Sequence, residues 1–378
     1  SSNLTVATGA TMSYTTLNGC ADRLANRLLA LGIPRGAPVA FLCDRTPRMF
    51  VAILGILKAR GFFVPIDPIY PAARMQHILK DCAPFALVSD RDAAGLAALG
   101  VTPPATLITL TPADAELAAG EVMPAPGLTG SGDDLVYSIY TSGSTGQPKG
   151  TLNYQKGVVN LNRWMVEDFA FGTHTRFMVM TSIGFDLTGK NVCAPLVSGG
   201  ALVLYDTPVY DPERIRQMIA DYGVNTITHT PTGLYGLVED GREQSFQQLS
   251  SVTQVVISGE ALHLGRVKQW LEHPLCQARL VNGYGPTECS DQVAFHVVTP
   301  ADLAVGGVCP LGKATPNVIL SVRDADLKPL PQGEKGEMCV QGIGVGAGYQ
   351  NLPEKTAKAF VTDPAPGPLQ GTRMYRMG

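Results

Sequence analysis

The chain has 378 residues, of which 45% are hydrophobic and 16% charged, and its formal net charge is −3 at pH 7. A chain of this length buries a large core and divides into two or three sub-structures. The small negative charge excludes a general attraction to nucleic acid or to anionic membranes, so an anionic ligand must be bound by local cations or backbone amides.

Helix and strand patterns alternate along the chain. Apolar spacing and turn residues predict helices over 17–32, 47–61 and 211–223, and strands over 37–43, 62–67, 134–140 and 224–230. Thr15 or Thr16 is the predicted cap of the first helix. Asp211 caps the third, with Pro212 as its first residue and Gly223 as its end. This alternation predicts an α/β fold, a layered core of mostly parallel sheets flanked by helices, with ligand sites on loops beyond the carboxyl ends of strands.

Two composition shifts suggest the domain organisation. Residues 100–133 are rich in Pro, Ala, Gly and Thr and predict an irregular connector. From about residue 331 the sequence consists of short Gly-rich strands. We therefore expect α/β layers over residues 1–330 and a smaller, β-barrel-like subdomain that begins at 331 and includes the residues up to 378.

The positions of the cysteines and of the apolar runs indicate the cellular setting of the protein. The eight cysteines are scattered singly, without a CxxC pair or a His/Cys cluster, so neither a zinc site nor a disulfide framework is indicated. The longest apolar run, residues 49–57, is too short to span a bilayer. We expect a soluble, cytoplasmic protein with reduced thiols.

The segment IYTSGSTGQPKG, residues 139–150, follows a predicted strand and combines glycines, hydroxyls and one lysine. Glycines allow successive N–H groups to converge on an anion, and the side chains supply further donors, so the segment predicts a phosphate site. It does not match a P-loop, because Pro148 replaces the second glycine and Gly150 replaces the Ser or Thr of that signature. The alternative is a flexible surface loop of small polar residues.

A second segment, VNGYGPTECSDQ at residues 281–292, places Tyr284 between two glycines. Thr287 and Glu288 follow Pro286. An exposed aromatic face can stack on a purine, and a carboxylate beside a hydroxyl can hold Mg²⁺ against a phosphate. Alone this segment is a tight turn, but together with residues 139–150 it predicts a nucleotide site.

Six segments, in this order, resemble the adenylation domains of nonribosomal peptide synthetases, in the superfamily shared with acyl-CoA synthetases and luciferases. They are residues 57–67, 135–150, 185–188, 282–288, 336–349 and 375–378. The resemblance implies the N-terminal core of such a domain, without its mobile C-terminal subdomain.

The resemblance implies ATP and Mg²⁺ as cofactors and assigns roles to individual residues. The outer phosphates would be held by Thr141, Ser142, Gly143, Ser144, Thr145, Gly146 and Lys149. The adenine would stack on Tyr284, followed by Gly285, against a wall of Gly259, Glu260 and Ala261, and would be hydrogen-bonded by Asn282. Thr287 would contact the α-phosphate and Glu288 would hold Mg²⁺, which makes Lys149, Thr287 and Glu288 the candidate catalytic residues.

The implied reaction is attack of a substrate carboxylate on the α-phosphorus of ATP, giving an aminoacyl adenylate and pyrophosphate. Positioning and charge neutralisation dominate such a step, and no side-chain nucleophile is required. The implied partners are an amino acid, a peptidyl carrier protein domain and a small activating partner protein. Two residues depart from the family pattern: Ala347 stands where an Arg is usual and Met377 where a Thr is usual.

Asp186, in the segment FDLT, separates the competing interpretations. In peptide synthetases this aspartate receives the α-ammonium of the substrate, whereas an acyl- or aryl-CoA synthetase binds an acid without an amino group. The structural alternative is that Asp186 only caps a helix over 187–199. A third interpretation is a module that binds nucleotide without turnover, which would not need both Lys149 and Glu288.

The side-chain pocket implied by the resemblance is unusually polar. It would be lined by Leu187, Lys190, Thr232, Val256, Ser258, Gly283, Asp291 and Gln292. We expect a polar or charged substrate side chain, with an acidic or amide one favoured because Lys190 could pair with a carboxylate. Lys190 and Asp291 could instead neutralise each other, or Lys190 could lie in solvent.

Members of the family continue beyond the terminal YRMG segment, first with an aspartate for the ribose and then with a subdomain that carries a catalytic lysine. Closure of that subdomain completes such a site and excludes water. We therefore expect the 378 residues to fold, to bind ATP and amino acid weakly, to form adenylate slowly and not to load a carrier protein.

Overall fold

The computed structural model describes residues 3–6, 9, 11–116, 126–141 and 147–377. Its α-helices are α1 (Tyr14–Ala30), α2 (Pro47–Lys58), α3 (Ala72–Cys82), α4 (Ala93–Ala98), α5 (Gln155–Asp168), α6 (Leu187–Ser198), α7 (Pro212–Tyr222), α8 (Pro231–Val238), α9 (Glu243–Gln248), α10 (Lys268–Leu271), α11 (Pro300–Val305) and α12 (Pro353–Ala359). Short 3₁₀ turns cover Pro112–Ala115, Leu264–Arg266 and Thr287–Cys289. Within the described residues no helix is both long and apolar enough to cross a membrane.

The strands form three sheets. They are β1 (Asn3–Val6), β2 (Thr11–Ser13), β3 (Pro38–Leu42), β4 (Phe62–Pro65), β5 (Ala86–Ser89), β6 (Leu107–Thr109), β7 (Leu135–Thr141), β8 (Lys149–Tyr154), β9 (Arg176–Val179), β10 (Ala201–Leu204), β11 (Thr226–His229), β12 (Gln254–Ile257), β13 (Arg279–Tyr284), β14 (Ala294–Val297), β15 (Lys313–Ala314), β16 (Val318–Arg323), β17 (Glu337–Gly342), β18 (Gly348–Tyr349), β19 (Phe360–Thr362) and β20 (Arg373–Arg376). A nine-stranded sheet has the order β15-β14-β13-β12-β11-β9-β10-β1-β2, and a seven-stranded sheet has the order β18-β8-β7-β4-β3-β5-β6.

Both large sheets are parallel in their interior, with antiparallel strands at both edges of the nine-stranded sheet and at one edge of the seven-stranded sheet. In the nine-stranded sheet β9 to β13 and β10 with β1 pair in parallel, whereas β2, β14 and β15 pair antiparallel. In the seven-stranded sheet β3 to β7 pair in parallel, and β8 and β18 are antiparallel. The predicted α/β class with mostly parallel sheets is confirmed.

Three apolar cores give the layer order. The inner core takes side chains from both large sheets and from α1, α2, α5 and α6, which therefore lie between the sheets. A second core joins α7 to α10 to the outer face of the nine-stranded sheet, and a third joins α3 and α4 to the outer face of the other. The layers therefore alternate as helix, sheet, helix, sheet and helix, as expected for two sheets with apolar residues on both faces.

The register of β11, β12 and β13 decides which side chains face the inner core. Thr228 pairs with Val256, and Val256 pairs with Val281. Val256 and Val281 lie in the inner core, whereas their neighbour Val255 lies in the outer one. Because side chains alternate along a strand, Thr228 faces inward with Val256.

Helix ends agree with the sequence prediction in α7 but not in α1. Asp211 Oδ1 accepts hydrogen bonds from the first turn of α7, and Gly223 ends it with φ at 59°. The cap of α1 is Ser13, whose Oγ accepts from the Thr16 amide, so the prediction of Thr15 or Thr16 as the cap was wrong. The capping hydroxyl therefore lies two or three residues earlier in the chain than predicted.

The C-terminal subdomain is a four-stranded antiparallel sheet in the order β16-β17-β20-β19. It begins at Val318, earlier than the predicted boundary at 331, because β16 lacks the glycines that marked the composition shift. The short strand β18 leaves this region and pairs with β8 in the seven-stranded sheet. This crossover carries Tyr349 from the Gly-rich segment into contact with the large sheets.

Candidate active site

The predicted site residues lie where β11, β12 and β13 end. Ser258 follows β12 directly, and Thr287 and Glu288 follow β13 in a 3₁₀ turn. Asp186 precedes α6, the helix between the two sheets. This position agrees with the expectation that ligands bind beyond the carboxyl ends of parallel strands.

Lys149, Glu288 and Tyr349 form a charged cluster beside residues 139–150. Lys149 Nζ donates to Glu288 Oε1 at 2.9 Å, and the Tyr349 hydroxyl donates to the same oxygen at 2.7 Å. Lys149 Nζ also lies 3.9 Å from the centre of the Tyr349 ring. Partial burial lowers the pKa of Lys149, but hydrogen bonds with Tyr349 and Glu288 outweigh it and raise the pKa overall. Lys149 therefore stays a cation.

Glu288 fits the role of a Mg²⁺ ligand. Both hydrogen bonds go to Oε1, so among the described residues Oε2 has no donor. The described residues contain no group of three or more His, Cys, Asp or Glu side chains that could hold a metal ion. Mg²⁺ commonly binds through one or two carboxylates together with substrate phosphates, and a single acidic side chain beside a phosphate site suits that mode.

Asn153 positions the turn that carries Thr287 and Glu288. Its Nδ2 donates to the Thr287 carbonyl at 2.9 Å, and its Oδ1 accepts from the Ser290 amide and hydroxyl at 3.2 Å. Asn153 is completely buried in β8. Neither Asn153 nor Tyr349 was predicted as a site residue. The signal for Tyr349 was its place in the Gly-Tyr pair of a family segment, whereas no feature of the sequence indicated Asn153.

Five predicted phosphate contacts, Ser142, Gly143, Ser144, Thr145 and Gly146, lie outside the described residues. The residues that flank them are described. Thr141 ends β7 and pairs in register with Lys149 at the start of β8. Among the described residues Thr141 Oγ1 is buried without a hydrogen-bond partner, which leaves it available to a ligand.

The residues predicted to surround adenine are partly engaged with protein. Gly259 has a positive φ of 95°, and Glu260 and Ala261 after it are exposed. Asn282 is buried, and its Nδ2 donates to the Pro310 carbonyl at 2.9 Å. This hydrogen bond fixes the orientation of the Asn282 amide.

Tyr284 and Gly285 end β13. Tyr284 is half-buried, and burial raises the pKa of its hydroxyl. At Gly285 a Cβ would lie 2.1 Å from the Asp291 carbonyl oxygen, so the close approach of the two segments requires glycine there.

Asp186 caps α6, and its carboxyl group is enclosed by protein. Its Oδ1 accepts from the Leu187 amide at 2.9 Å. The residue keeps some accessible surface, but its carboxyl group is surrounded by protein. Burial, and then the charge of Asp291, raise the pKa of this carboxyl from 3.8 to about 7, against a hydrogen bond from Thr287 and the charge of Lys190. A carboxylate in this position gains most from a cationic partner.

Lys190 and Asp291 are an internal ion pair. The Lys190 ammonium contacts Asp291 Oδ2, and the side chains are 0% and 2% exposed. Burial raises the pKa of Asp291, while the contact with Lys190 opposes that rise. Of the three alternatives stated for Lys190, the structure therefore shows mutual neutralisation with Asp291.

The remaining pocket residues surround this pair, with one exception. Leu187, Val256, Ser258 and Gln292 are buried. At Gly283 a Cβ would lie 2.0 Å from Gln292 Nε2, so the Gln292 amide crosses directly over this glycine. Thr232 is exposed on α8, and its amide and hydroxyl donate to Glu260 Oε2 at 3.2 and 2.5 Å.

The prediction that Thr232 lines the buried pocket therefore disagrees with its position. Thr232 is the second residue of α8, three residues beyond the end of β11, and its hydroxyl donates to Glu260. The buried Thr228 occupies that face instead, beside Val256. The alternation of side chains along β11 identifies Thr228 as the inward-facing residue. The distance from Pro231 in the sequence does not identify it.

Tyr137 approaches Asp186, Asp291 and α6 from the other sheet. It is buried in β7, and its ring lies 3.8 Å from the position of a Cβ on Gly189 in α6. Burial, and then the charges of Asp186 and Asp291, raise the pKa of its hydroxyl. The pocket thus lies between the two sheets. Separate clefts, such as a groove of about 820 Å³ beside Trp164 and Asn160, contain none of the predicted site residues.

We expect Tyr349 to act as a positioning residue for Lys149 and Glu288. Tyr349→Phe keeps the ring under Lys149 but removes the donor to Glu288, and should lower kcat for ATP–pyrophosphate exchange by roughly tenfold. Tyr349→Leu also removes the cation–π contact and should cost several-fold more. Exchange rates at several Mg²⁺ concentrations check this, because a merely structural role would not shift the Mg²⁺ dependence. Tyr154→Phe, next to the exposed Lys156, is the matched control.

A family model described as "AMP-binding enzyme" matches residues 3–350. Phosphinothricin tripeptide synthetase PhsC of Streptomyces viridochromogenes is 36% identical over 372 residues, which cover 97% of this chain and 32% of that protein. Tyrocidine synthase 1 of Brevibacillus parabrevis is 31% identical over 369 residues, with coverage of 97% and 32%. The chain thus spans less than a third of the length of these relatives.

Solved structures agree with this relationship. The nonribosomal peptide synthetase FmoA3, in its form bound to α-methyl-L-serine-AMP, matches this chain with a TM-score of 0.87 and 28% identity. The match covers 100% of this chain and 41% of the FmoA3 chain. The N-terminal subdomain of Klebsiella oxytoca NpsA has a TM-score of 0.82, covers 99% of this chain and 91% of its own, and at 22% identity shows the fold alone. The chain therefore belongs to the AMP-binding enzyme family and corresponds to the N-terminal core of a nonribosomal peptide synthetase adenylation domain.

Proposed function

We propose that the protein activates an α-amino acid with ATP, forming an aminoacyl adenylate and releasing pyrophosphate, for transfer to the thiol of a peptidyl carrier protein. One observation carries the proposal. Thr287 contacts the enclosed carboxyl of Asp186 and is the immediate neighbour of Glu288, which is bound to Lys149. A site for an ammonium group therefore lies next to a site for phosphates.

This adjacency suits the geometry of the reaction. An amino acid whose ammonium pairs with Asp186 has its carboxylate carbon two bonds from that nitrogen, and the carboxylate would lie near Thr287, which contacts Asp186. An oxygen of that carboxylate attacks the α-phosphorus of ATP, the bond to the β-phosphate oxygen breaks, and pyrophosphate leaves. The protein contributes mainly by holding two anions close together, which is entropic and electrostatic catalysis.

The role that we propose for each residue follows from its charge and its hydrogen-bonding groups. Lys149 and the hydroxyl of Thr141 bind phosphate oxygens, and Thr287 contacts the α-phosphate. Glu288 would hold Mg²⁺, which when bound supplies neutralisation of the phosphate charge. We also propose Tyr284 as the stacking surface for adenine and the wall 259–261 as its boundary.

Relatives and the thiol chemistry support the proposed partners and setting. The relatives named above are peptide synthetases, and the structures of FmoA3 include an AMPPNP-bound form and an α-methyl-L-serine-AMP-bound form. We infer from them ATP as cosubstrate and a carrier domain as acceptor. The eight cysteines are scattered singly along the sequence, without a CxxC pair, which supports a reducing, cytoplasmic setting.

The experiment that tests the proposal is trapping of the activated acid. The protein is incubated with ATP, Mg²⁺ and each of the twenty amino acids in the presence of hydroxylamine, and hydroxamate and pyrophosphate are measured. We expect equal amounts of both products with a small set of amino acids. Pyrophosphate without hydroxamate would show hydrolysis of ATP, and neither product with any amino acid would contradict the proposal.

We expect binding of the amino acid to depend on pH through Asp186. Its carboxyl must lose a proton before it can pair with the ammonium, and its pKa is raised to about 7. Below pH 7 the dissociation constant should fall about tenfold for each unit of rising pH, with one proton released, and above pH 7 it should level off. Calorimetry in two buffers of different ionisation enthalpy counts the proton. A dissociation constant that does not change between pH 5 and 7 would contradict this role.

A further inference from the structure

Two buried side chains of the proposed amino acid pocket have polar groups without partners. Both Nε2 and Oε1 of Gln292, which is 3% exposed, and Oγ1 of Thr228, which is 0% exposed, make no hydrogen bond to the described residues. Buried polar groups in folded proteins are almost always paired. Two unpaired side chains in one chamber indicate a ligand that supplies the missing partners.

Both side chains lie on the inward face of the nine-stranded sheet. Gln292 lies over Gly283 on β13, and Thr228 faces inward from β11 beside Val256. The strand between them, β12, contributes Val256 and Ser258 to the same face. With neighbouring strands about 5 Å apart, the amide and the hydroxyl border a space about two strands wide.

The charges of this chamber are already matched. Lys190 and Asp291 form a pair without net charge, wherever their shared proton lies. Asp186 is the remaining carboxylate, and in the proposed function the substrate ammonium neutralises it. A substrate side chain with a charge of either sign would therefore be buried without a counterion, which is strongly unfavourable.

We propose that the substrate is an α-amino acid whose side chain is neutral and hydrogen-bonding, a hydroxyl or a carboxamide, held by the Gln292 amide and the Thr228 hydroxyl. This inference rests on the proposed function, since it assumes that Asp186 binds the α-ammonium. It replaces the expectation that an acidic side chain pairs with Lys190, because the Lys190 ammonium is already paired with Asp291. An apolar side chain would leave the Gln292 amide desolvated and unpaired.

The test is amino acid-dependent ATP–pyrophosphate exchange with matched sets of side chains, in both enantiomers. The sets are Ser with Ala, Thr with Val, Asn with Asp and Leu, and Gln with Glu and Met. We expect one hydroxyl or carboxamide amino acid to exceed its acidic and apolar counterparts by about 100-fold. Exchange that is best with an acidic, basic or apolar amino acid would overturn the inference while leaving the proposed function intact, whereas no exchange at all would contradict both.

Variants of equal size show which groups bind the side chain. Gln292→Leu and Thr228→Val should each lower the preference for the polar amino acid over its apolar counterpart by roughly tenfold or more. Gln247→Leu, at an exposed position of α9, controls for general effects of the substitution. Unchanged preference in both Gln292→Leu and Thr228→Val, with thermal midpoints like the wild type, would also overturn the inference.

Discussion

Replacing Asp186 by Asn should lower amino acid-dependent exchange by about 100- to 1,000-fold. The substrate ammonium would enter an enclosed site without its counterion, and breaking one side of a buried ion pair costs about 3–5 kcal/mol. Asn keeps the size of the side chain and an oxygen that can accept from the Leu187 amide, so α6 stays capped. The measurement is the exchange rate as a function of amino acid concentration, with ATP saturating.

Two further substitutions separate binding from helix capping. Asp186→Ser keeps a capping oxygen but no charge, and should lose exchange like Asn. Asp211→Asn alters the cap of α7, far from the pocket, and should leave exchange unchanged. Because the pKa of this carboxyl is raised from 3.8 to about 7, its ionisation opposes folding increasingly between those pH values and fully above pH 7, so Asp186→Asn should not lower the thermal midpoint at pH 8. Exchange in Asp186→Ser within a few-fold of wild type would show that the residue only caps α6.

The second large effect should come from Lys149. Lys149→Met removes the cation from the phosphate site and leaves Glu288 with Tyr349 as its partner. We expect exchange to fall by about 100- to 1,000-fold, the usual range for removing an electrostatic group from a preorganised site. Amino acid binding, measured by calorimetry without ATP, should stay within a few-fold because Asp186 is untouched.

Lys156→Met is the matched control for this variant. Lys156 starts the neighbouring helix α5, is 39% exposed and pairs with Asp133, so its loss should change exchange little. A surface ion pair of that kind contributes at most about 1 kcal/mol to stability. If Lys149→Met retained ATP-dependent exchange at more than a tenth of the wild-type rate, Lys149 would not be the phosphate cation.

Local sequence signals were sufficient for much of the fold. In α7 the order Asp211, Pro212 and Gly223 determines both ends of the helix, because each residue type satisfies or terminates specific backbone groups. The start of the C-terminal sheet at Val318 was not predictable in the same way. Its first strand has ordinary apolar composition, and only pairing with β17 assigns it to that sheet.

Contacts between distant segments explain what the sequence could not predict in the site. Asn153 and Tyr349 reach Thr287 and Glu288 only because β8 and β18 meet at the edge of the seven-stranded sheet. The neutral pairing of Lys190 with Asp291 likewise joins residues 101 positions apart. Residue types indicated a polar pocket, but its charge balance depends on which partners the fold brings together.

The most direct test of the proposed amino acid activation compares one amino acid with its deaminated counterpart. The best substrate of the exchange panel is assayed beside the matching acid that lacks the α-amino group, over the same concentration range. We predict exchange with the amino acid and at least about 100-fold less with the acid, because the acid leaves the enclosed Asp186 carboxylate without a cation. Equal exchange with both compounds would contradict the account and would favour a synthetase that activates simple carboxylic acids.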